Sequence, residues 1–495
     1  MVLKAAPAGA SQSQPLINLL RGWPSNDLHP VALLKKASQA VLSDGSVAVP
    51  AFEYGPFPGH PALRAAIAQW VTSYYSLTNA PSPERIAITG GASQNLACIL
   101  QVFTDPVYTR NVWCVAPSYF LAFRTFDDSG FAGKLRSVPE DAEGVDIEFL
   151  RKQLEESERR AKDEINDQPV SLHPLLTSAA LNPMQRFKSA RPWRKIYRHI
   201  IYAVPTFANP SSRTMSMRRR EQLVQLAREY DALVIADDVY DFLQWPVDSE
   251  SSTTTTEHAV LPRLTDIDRS LDGGAERKGS DGFGNTASNA SFSKMTGGGL
   301  RVGWVEGTPK FVNGVAETGS TASGGAPSQF TSNLISYLVE HGELQSYITK
   351  TLRPAYAQRY RKMMSAIETH LIPLGVKLPQ PSRDVVGGYF IWISLPEPLK
   401  GAEVTRRAEK DANLIVAQGE LFEVPGDVEN ASFPRNIRLC FSWEDEWKLE
   451  QGIERLASVI SRMQSEGENQ AGDGVASQPQ TENVQDGKED RTNYW

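Results

Sequence analysis

Residues 200–243 read IIYAVPTFANPSSRTMSMRRREQLVQLAREYDALVIADDVYDFL, and this stretch decides the fold. It begins with an apolar strand, Ile200–Val204, continues through a loop rich in Pro, Asn and Ser, and ends with a second apolar strand, Leu233–Ala236. Between the strands, apolar residues recur at helical spacing on one face: Leu223, Leu226, Ala227 and Tyr230. The stretch therefore predicts a strand–helix–strand crossover of an α/β protein.

The same alternation of short apolar runs and amphipathic stretches extends from about Leu16 to Met463, which predicts a mostly parallel sheet covered by helices. Three segments differ in composition. The charged and then polar run 155–191 is expected to be a surface insertion. The Ser/Thr-rich and then Gly/Asp-rich run 248–289 is expected to be a mobile loop, and the polar tail 464–495 to be disordered.

Composition excludes several classes of function. The net charge is -7, from 51 basic and 58 acidic residues spread along the 495-residue chain, so no basic stripe indicates nucleic acid or a membrane surface. The apolar runs are far shorter than the roughly 20 residues that span a bilayer. Three isolated cysteines favour a reducing compartment over a disulfide framework. Without a recognisable signal peptide, the sequence favours the cytoplasm.

The most informative motif is Ser291-Phe292-Ser293-Lys294-Met295-Thr296-Gly297-Gly298-Gly299-Leu300-Arg301. Glycines let backbone N–H groups approach an anion closely, and an arginine can bind it bidentately. The pattern predicts a phosphate site with an amine beside it. The alternative is a glycine-rich surface turn with a solvated lysine and arginine.

Three further motifs stand at predicted strand ends. Asn209-Pro210 follows one strand, at the edge where ligands bind in open α/β sheets. Asp237 ends the next predicted strand, and a carboxylate buried at that point needs a partner such as a protonated pyridine nitrogen. Gly90-Gly91-Ala92-Ser93 turns a strand into a helix, whose N-terminus can bind phosphate. Each motif has an alternative interpretation. Asn209-Pro210 could simply initiate a turn, the acidic cluster at Asp237 could bind a metal or cap a helix, and the glycine turn could be an ordinary crossover turn.

Together these motifs resemble the fold-type I aminotransferases of class I/II, in the branch of aminoadipate, aromatic and valine-type transaminases. The resemblance also rests on Asp-Asp-Val-Tyr at 237–240, Leu-Arg-Val-Gly at 300–303 and Ile437–Ser442. It implies an α/β fold whose large domain has a seven-stranded-type, mostly parallel sheet, plus a smaller α/β domain made from both chain ends. The expected divisions are an N-terminal arm at 1–55, a cofactor domain at 56–335 and a small domain at 336–463.

The resemblance also implies pyridoxal 5'-phosphate as cofactor, with Lys294 forming its Schiff base and Asp237 pairing with its ring nitrogen. Asn209 and Tyr240 would bind the ring's phenolic oxygen, and Tyr119 would stack on the ring. The residues implied at the phosphate are Gly91, Ala92, Ser93, Ser291, Ser293, Arg301 and, from the second subunit of a homodimer, Tyr54. Arg438 would receive the substrate's carboxylate, with Asn209 and Gly22 beside it.

Three departures from the family pattern accompany this resemblance: Gly298-Gly299 replaces Pro-Gly, Pro210-Ser211-Ser212 replaces Pro-Thr-Gly, and Ala92 replaces a hydroxyl residue.

The implied reaction moves an amino group between an L-amino acid and a 2-oxo acid by a ping-pong mechanism. Lys294 would act as the base, and no metal is expected. The alternatives are another reaction of the same cofactor, such as elimination, replacement, decarboxylation or cyclopropane formation, or a cofactor-binding regulator. A regulator would need a DNA-binding domain, for which the residues before Leu16 leave no room.

Overall fold

The computed structural model describes residues 14–166, 186–247, 257–379 and 384–472. In these ranges the strands are β1 Ile17–Asn18, β2 Ile86–Thr89, β3 Asn111–Ala116, β4 Leu135–Asp141, β5 Gly144–Val145, β6 His199–Ala203, β7 Ala232–Asp237, β8 Gln244–Pro246, β9 Thr286–Ser291, β10 Gly303–Glu306, β11 Val385–Gly387, β12 Phe390–Ser394, β13 Leu414–Ile415, β14 Ala417–Gln418 and β15 Asn436–Cys440.

The α-helices in the same ranges are α1 Val31–Ser43, α2 Gly45–Ala51, α3 Pro61–Tyr74, α4 Ala92–Phe103, α5 Phe120–Phe126, α6 Ile147–Asn166, α7 Met217–Glu229, α8 Leu264–Ser270, α9 Ser293–Thr296, α10 Pro309–Ala316, α11 Gln329–Glu340, α12 Glu343–Tyr347, α13 Arg353–His370, α14 Gly401–Ala412 and α15 Glu446–Gly472. No helix in the described ranges has the length and apolar composition needed to cross a membrane.

The large sheet has the strand order β2-β10-β9-β7-β6-β3-β4-β5. Its strands from β9 to β4 are parallel, β10 is antiparallel to both of its neighbours, and the two-residue β5 is antiparallel to β4. The α/β class predicted from the sequence is confirmed. Since β2, β9, β7, β6 and β3 run in one direction, the loops that follow them meet at one edge of the sheet, where ligands bind in such folds.

The two ends of the chain come together in the smaller unit. β1 pairs in parallel with β13, with Ile17 opposite Leu414, and β15 lies between β12 and β14. The backbone N–H of Cys440 donates to the carbonyl of Leu19 at 2.7 Å. The N-terminal segment therefore lies beside β15, as expected for a small domain built from both ends.

An aromatic cluster supports the segment that carries Lys294. Phe292 is fully buried, and its ring centre lies 4.9 Å from that of Trp304. Trp70 stacks on Phe242 at 4.2 Å and also contacts Trp304. Large aromatic rings bury much apolar area with little rotamer freedom, so the backbone beneath Lys294 rests on a rigid base.

The expectation of a mobile loop over 248–289 is wrong for residues 264–289. This part contains the buried helix α8 and most of β9, which lies between β7 and β10 in the large sheet. Its polar side chains are buried because they have partners: Asn95 donates to Asn289 at 2.8 Å, and Ser288 donates to Asp238. Residues 248–256 lie outside the described residues.

The expectation of a surface insertion at 155–191 is wrong for residues 155–166, which continue α6 against the large sheet. Ala161 is buried there, and Glu158 accepts from the ring of His199 in β6 at 2.9 Å. The helical character of these residues was not recognised in the sequence because the charged residues of the polar face dominate their composition. Residues 167–185 lie outside the described residues.

The expectation of a disordered tail at 464–495 is wrong for residues 464–472, because α15 extends to Gly472. Its earlier turns are anchored by the buried Leu456 and Ile460, and Gln464 donates to the carbonyl of Leu374 at 2.9 Å. The helix therefore propagates into a polar stretch. Residues 473–495 lie outside the described residues.

Candidate active site

Lys294 lies in α9, directly after β9, and its amine is enclosed. Nζ donates to the carbonyl of Gly22 at 2.8 Å and lies 5.5 Å and 5.2 Å from the ring centres of Tyr240 and Tyr389. Burial, with a smaller contribution from the positive charge of Arg438, lowers the pKa of Lys294 to about 8. A lysine in this setting has a larger neutral fraction near neutral pH than an ordinary one, as a nucleophile or base requires.

Asp237 is the last residue of β7, and its carboxylate is only half paired. The hydroxyl of Tyr202 donates to Oδ2 at 2.7 Å, whereas Oδ1 is buried without a hydrogen-bond partner among the described residues. Burial raises the pKa of Asp237 to about 6, against the opposing effects of Tyr202 and Lys294. A buried acceptor of this kind is costly unless a donor fills the space in front of it.

Arg438 lies in β15 and is 1% exposed. It donates to Oδ1 of Asn209 at 2.8 Å and to the carbonyl of Leu20 at 2.5 Å, and its guanidinium carbon lies 4.1 Å from the ring centre of Phe390. Burial lowers the pKa of Arg438 to about 10. The structure thus brings together an arginine and the Asn-Pro loop, which are far apart in sequence.

The glycine turn and the second glycine-rich segment meet at the N-terminus of α4. Arg301 donates to the carbonyls of Gly90 at 2.7 Å and Gly298 at 2.8 Å. Gly91 has a φ of 101°, and a Cβ there would lie 2.8 Å from a guanidinium nitrogen of Arg301, so only glycine fits. The hydroxyl of Ser291 donates to that of Ser293 at 2.9 Å. Free N–H groups, an arginine and hydroxyls together suit an anion.

The remaining predicted residues differ in their surroundings. Tyr240 is 3% exposed, and Tyr119 precedes α5 with a pKa raised to about 12 by burial. Ala92 begins α4, and Ser93 is exposed in its first turn. Tyr54 is 89% exposed.

One cavity of about 690 Å³ unites this set. Of the residues selected from sequence, those that line it are Gly22, Ala92, Ser93, Tyr119, Asn209, Asp237, Tyr240, Ser291, Ser293, Lys294, Arg301 and Arg438. Gly91 adjoins the cavity through Arg301, whereas Tyr54 does not line it. The volume is within the range of about 300–1,000 Å³ typical of ligand pockets.

Sequence reasoning missed several residues of the site. Tyr202 gave no signal because it reads as one of the strand residues of β6. Asn289 lines the cavity and donates to the carbonyl of Ala92 at 3.2 Å. A lone amide in a strand of Ala and Ser could have indicated it. Tyr389, next to two glycines, donates to the carbonyl of Lys294 at 3.0 Å.

The residues present fit pyridoxal phosphate. The unpartnered Oδ1 of Asp237 suits a protonated ring nitrogen, and the anion-binding groups at the start of α4 suit a phosphate. The amine of Lys294 opens on the same cavity. A mostly parallel α/β sheet with these groups after its strands defines a pyridoxal-phosphate enzyme of fold-type I.

Comparison with known proteins specifies the family. The family model "Aminotransferase class I and II" matches residues 15–456. The uncharacterised protein YER152C of Saccharomyces cerevisiae is 32% identical, covering 90% of this chain and 96% of its own. Aromatic-amino-acid aminotransferase 1 of Thermococcus litoralis is 28% identical over 91% of this chain and 89% of its own.

The solved structures agree with the sequence comparisons. The kynurenine aminotransferase of Pyrococcus horikoshii superposes with a TM-score of 0.69 at 25% identity, covering 91% of this chain and 92% of that chain. The chain belongs to the class I and II aminotransferase family. It is a pyridoxal-phosphate-dependent transaminase that acts on an L-amino acid and a 2-oxo acid.

Proposed function

We propose that Lys294 is the base of this amino transfer and that Asp237 holds the proton on the cofactor's ring nitrogen. The observation that supports these roles is a single cavity that contains both groups. In it the amine has a pKa lowered to about 8, and the carboxylate presents a buried, unpartnered oxygen. Each group has the property that its role requires.

The other predicted residues bind and orient the cofactor and the substrate. Gly91, Ala92 and Ser93 offer the N–H groups at the start of α4 to the phosphate. Ser291, Ser293 and Arg301 complete that end of the site. Asn209 uses Oδ1 to accept from Arg438, so its amide nitrogen is the group left to donate to the cofactor's phenolic oxygen. Tyr240 lies on the same side, and Tyr119 packs against the ring.

Pyridoxal phosphate supplies a carbonyl that condenses with amines and a conjugated ring that takes up electrons released at the substrate's Cα. Lys294 Nζ accepts the Cα proton when neutral and later releases it. The carbonyl of Gly22 holds that amine inside the cavity, at 2.8 Å. Arg438, assisted by Asn209, binds the substrate's carboxylate as a planar fork.

A homodimer completes the site in this proposal. Tyr54 is 89% exposed and outside the cavity of its own chain, although the family pattern assigns it to the phosphate. The apolar side chains of Val49 and Phe52 are also more than half exposed in the same part of the chain. Apolar surface of this kind favours association. Tyr54 therefore reaches the phosphate of the second subunit.

The test compares absorbance spectra of the wild type and of Lys294→Ala before and after adding amino acids without an oxo acid. We expect amino donors to convert the cofactor band of the wild type into that of the pyridoxamine form, and no such conversion in the variant, which lacks the base for the Cα proton. Lys310→Ala is the matched control, since Lys310 is exposed and donates to the carbonyl of Asp281. A variant that behaves like the wild type would refute the role of Lys294. Bleaching with release of ammonia would replace transfer by elimination.

A further inference from the structure

We propose that a second cavity, between the large sheet and the smaller unit, binds a small zwitterion of the α-amino acid type and stabilises a wall that it shares with the active site. Its volume is about 370 Å³, within the range of about 300–1,000 Å³ typical of ligand pockets. The lining residues that matter here are Pro117, Glu140, Ser211, Arg213, Trp392 and Phe433. Binding in this cavity does not depend on the roles proposed for Lys294 and Asp237.

Glu140 and Arg213 are the charged residues that line this cavity in the described part of the chain. Nε of Arg213 lies 3.6 Å from Oε2 of Glu140, which is close enough for an ion pair but longer than a hydrogen bond. The side chain of Glu140 is only 10% exposed. Burial raises the pKa of Glu140 to about 7, although the charge of Arg213 opposes this effect. The arginine therefore offsets only part of the cost of burying the carboxylate.

Two polar atoms of the residues that line this cavity lack partners. Nε of Arg213 and Oγ of Ser211 are buried and have no hydrogen bond of good geometry among the described residues. Ser211 is 6% exposed, and it stands in the Pro-Ser-Ser sequence that departs from the family pattern. Buried donors without acceptors are costly, so we expect an acceptor in the space that they line.

A zwitterion matches these groups. The carboxylate of an α-amino acid can accept from Arg213 and Ser211, and its ammonium group can donate to Glu140. Because one carbon joins the two charged groups, they can face an acid and a base that lie 3.6 Å apart. An ion of a single charge would be attracted by one member of the pair and repelled by the other. The cavity therefore favours a ligand that carries both charges.

The rest of the lining suits an aliphatic side chain on that ligand. The ring centres of Trp392 and Phe433 lie 5.9 Å apart, with their planes nearly perpendicular. Pro117 adds a third rigid apolar surface. Rings of this kind form a preformed wall that loses little freedom when a ligand packs against it.

Three segments of the chain form a wall between this cavity and the active site. In each segment, residues two positions apart line different cavities: Pro117 and Tyr119, Ser211 and Asn209, and Trp392 and Phe390. The hydroxyl of Ser212 donates to the carbonyl of Phe390 at 2.5 Å, which joins two of the segments. A ligand in contact with Ser211 and Trp392 would hold these segments together. Asn209 would then stay in place to accept from Arg438.

The segment that carries Tyr54 lies at the other edge of the large sheet. The carbonyl of Pro58 accepts from the backbone N–H of Ile88 in β2, whereas Glu140 belongs to β4. The strands β10, β9, β7, β6 and β3 lie between β2 and β4. The subunit contact proposed through Tyr54 therefore leaves this cavity within one chain.

The first experiment measures binding of N,N-dimethyl-L-leucine to the holoenzyme by calorimetry. Its tertiary amine cannot form a Schiff base, so the probe does not react with the cofactor. We expect Glu140→Gln to weaken binding about tenfold or more, because the ammonium group loses its charged partner. Glu164→Gln is the matched control, since Glu164 pairs with Arg110 on the surface and lines neither cavity. Absence of binding, or equal binding to Glu140→Gln and the wild type, overturns the proposal.

The second experiment exchanges the preferred charge of the ligand. The probe 4-methylpentanoate lacks the ammonium group. We expect Glu140→Gln to bind it about fivefold or more tightly than the wild type does, because Arg213 then faces no acid. Arg213→Met should lose the zwitterion without gaining the anion, and Arg213→Lys should retain part of the zwitterion binding. A general loss of structure would weaken both probes together. That outcome, or equal binding of the two probes in the wild type and its variants, would refute the assignment of the charges.

The third experiment tests the shared wall. Saturating N,N-dimethyl-L-leucine should lower the KM of the wild type for an amino donor about threefold or more, because the 209–212 loop is held in place. Glu140→Gln should show no such decrease. Competition at the active site would raise the KM instead, so the sign of the change separates the two sites. An unchanged or raised KM in the wild type overturns the stabilisation of the active site.

Discussion

The hydroxyl of Tyr389 donates to the backbone carbonyl of Lys294 at 3.0 Å. A chain of hydrogen bonds fixes its direction. The backbone N–H of Ser25 donates to the hydroxyl of Tyr356 at 3.3 Å. The hydroxyls of Tyr356 and Tyr389 lie 3.3 Å apart, and because the one proton of Tyr389 goes to the carbonyl of Lys294, Tyr356 is the donor between them. Because an N–H group stands at one end and a carbonyl at the other, each hydroxyl accepts one hydrogen bond and donates one. The N-terminal arm and the lysine are thereby held in fixed relation.

Tyr389→Phe should lower kcat about tenfold, the cost of one good hydrogen bond, with little change in KM for the amino donor. The bond positions the lysine and does not touch the substrate. Steady-state kinetics measure this change, and Tyr360→Phe is the control, since the ring of Tyr360 contacts Trp245 and Phe441 and does not line the cavity. An unchanged kcat in Tyr389→Phe would contradict the positioning role.

The apoenzyme should capture pyridoxal phosphate at a rate that rises with pH, with a midpoint near the lowered pKa of Lys294, about 8. Only the neutral amine attacks the cofactor's carbonyl. Arg438→Met removes a charge that lowers this pKa, so its midpoint should move upward, toward the ordinary lysine value. Stopped-flow absorbance across pH gives both midpoints. A wild-type midpoint at the ordinary value would show that burial does not control the amine.

Tyr202→Phe should move the acid limb of the kcat profile to higher pH. The hydroxyl of Tyr202 stabilises the charged form of Asp237, so its loss raises the pKa of Asp237 further above its ordinary value. The carboxylate is then protonated, and its role lost, at a higher pH than in the wild type. Tyr230→Phe, which alters a hydroxyl on the surface, should leave the limb in place. Coincident profiles for Tyr202→Phe and the wild type would count against the pairing.

Mixing two inactive variants tests the shared site. In hybrids of Lys294→Ala and Tyr54→Ala, one of the two sites combines an intact lysine with an intact tyrosine. Equal co-expression should therefore restore about one quarter of wild-type activity, because half the dimers are hybrids with one good site each. Mixing after purification without subunit exchange should restore none. Full activity of Tyr54→Ala alone would remove Tyr54 from the site.

Arg263→Met should lower the free energy of unfolding by about 3–5 kcal/mol, because it leaves two buried acids without their cation. Arg263 is 1% exposed and pairs with Asp266 at 2.9 Å and Glu306 at 2.8 Å. Chemical denaturation measures the change, and Arg269→Met in the adjoining helix α8 is the control, because Arg269 is only half-buried and its hydrogen bond to the carbonyl of Asn79 is exposed. A change below about 1 kcal/mol, the contribution of a surface ion pair, would show that the network is dispensable.

Much of the fold and site could be predicted from sequence because the motifs follow strands. Asp237 ends β7, and Asn209 and Lys294 follow β6 and β9, so their convergence follows from the parallel pairing of these strands. The strand β9 itself could not be predicted, because Thr286–Ser291 is polar and is stabilised by partners distant in sequence. Tyr202 and Tyr389 were missed for a related reason: their roles depend on side-chain direction and on contacts that no local pattern records.

The pairing of β1 with β13 also affects the biogenesis of the enzyme. Gly22, which accepts from the lysine amine, is synthesised before Lys294, whereas Arg438 is synthesised after it. Until Arg438 has been synthesised, a nascent chain therefore carries Lys294 without all of the surroundings that lower its pKa. We expect cofactor capture to become efficient only when β13 and β15 have packed against the N-terminal segment, because the neutral amine is the form that reacts.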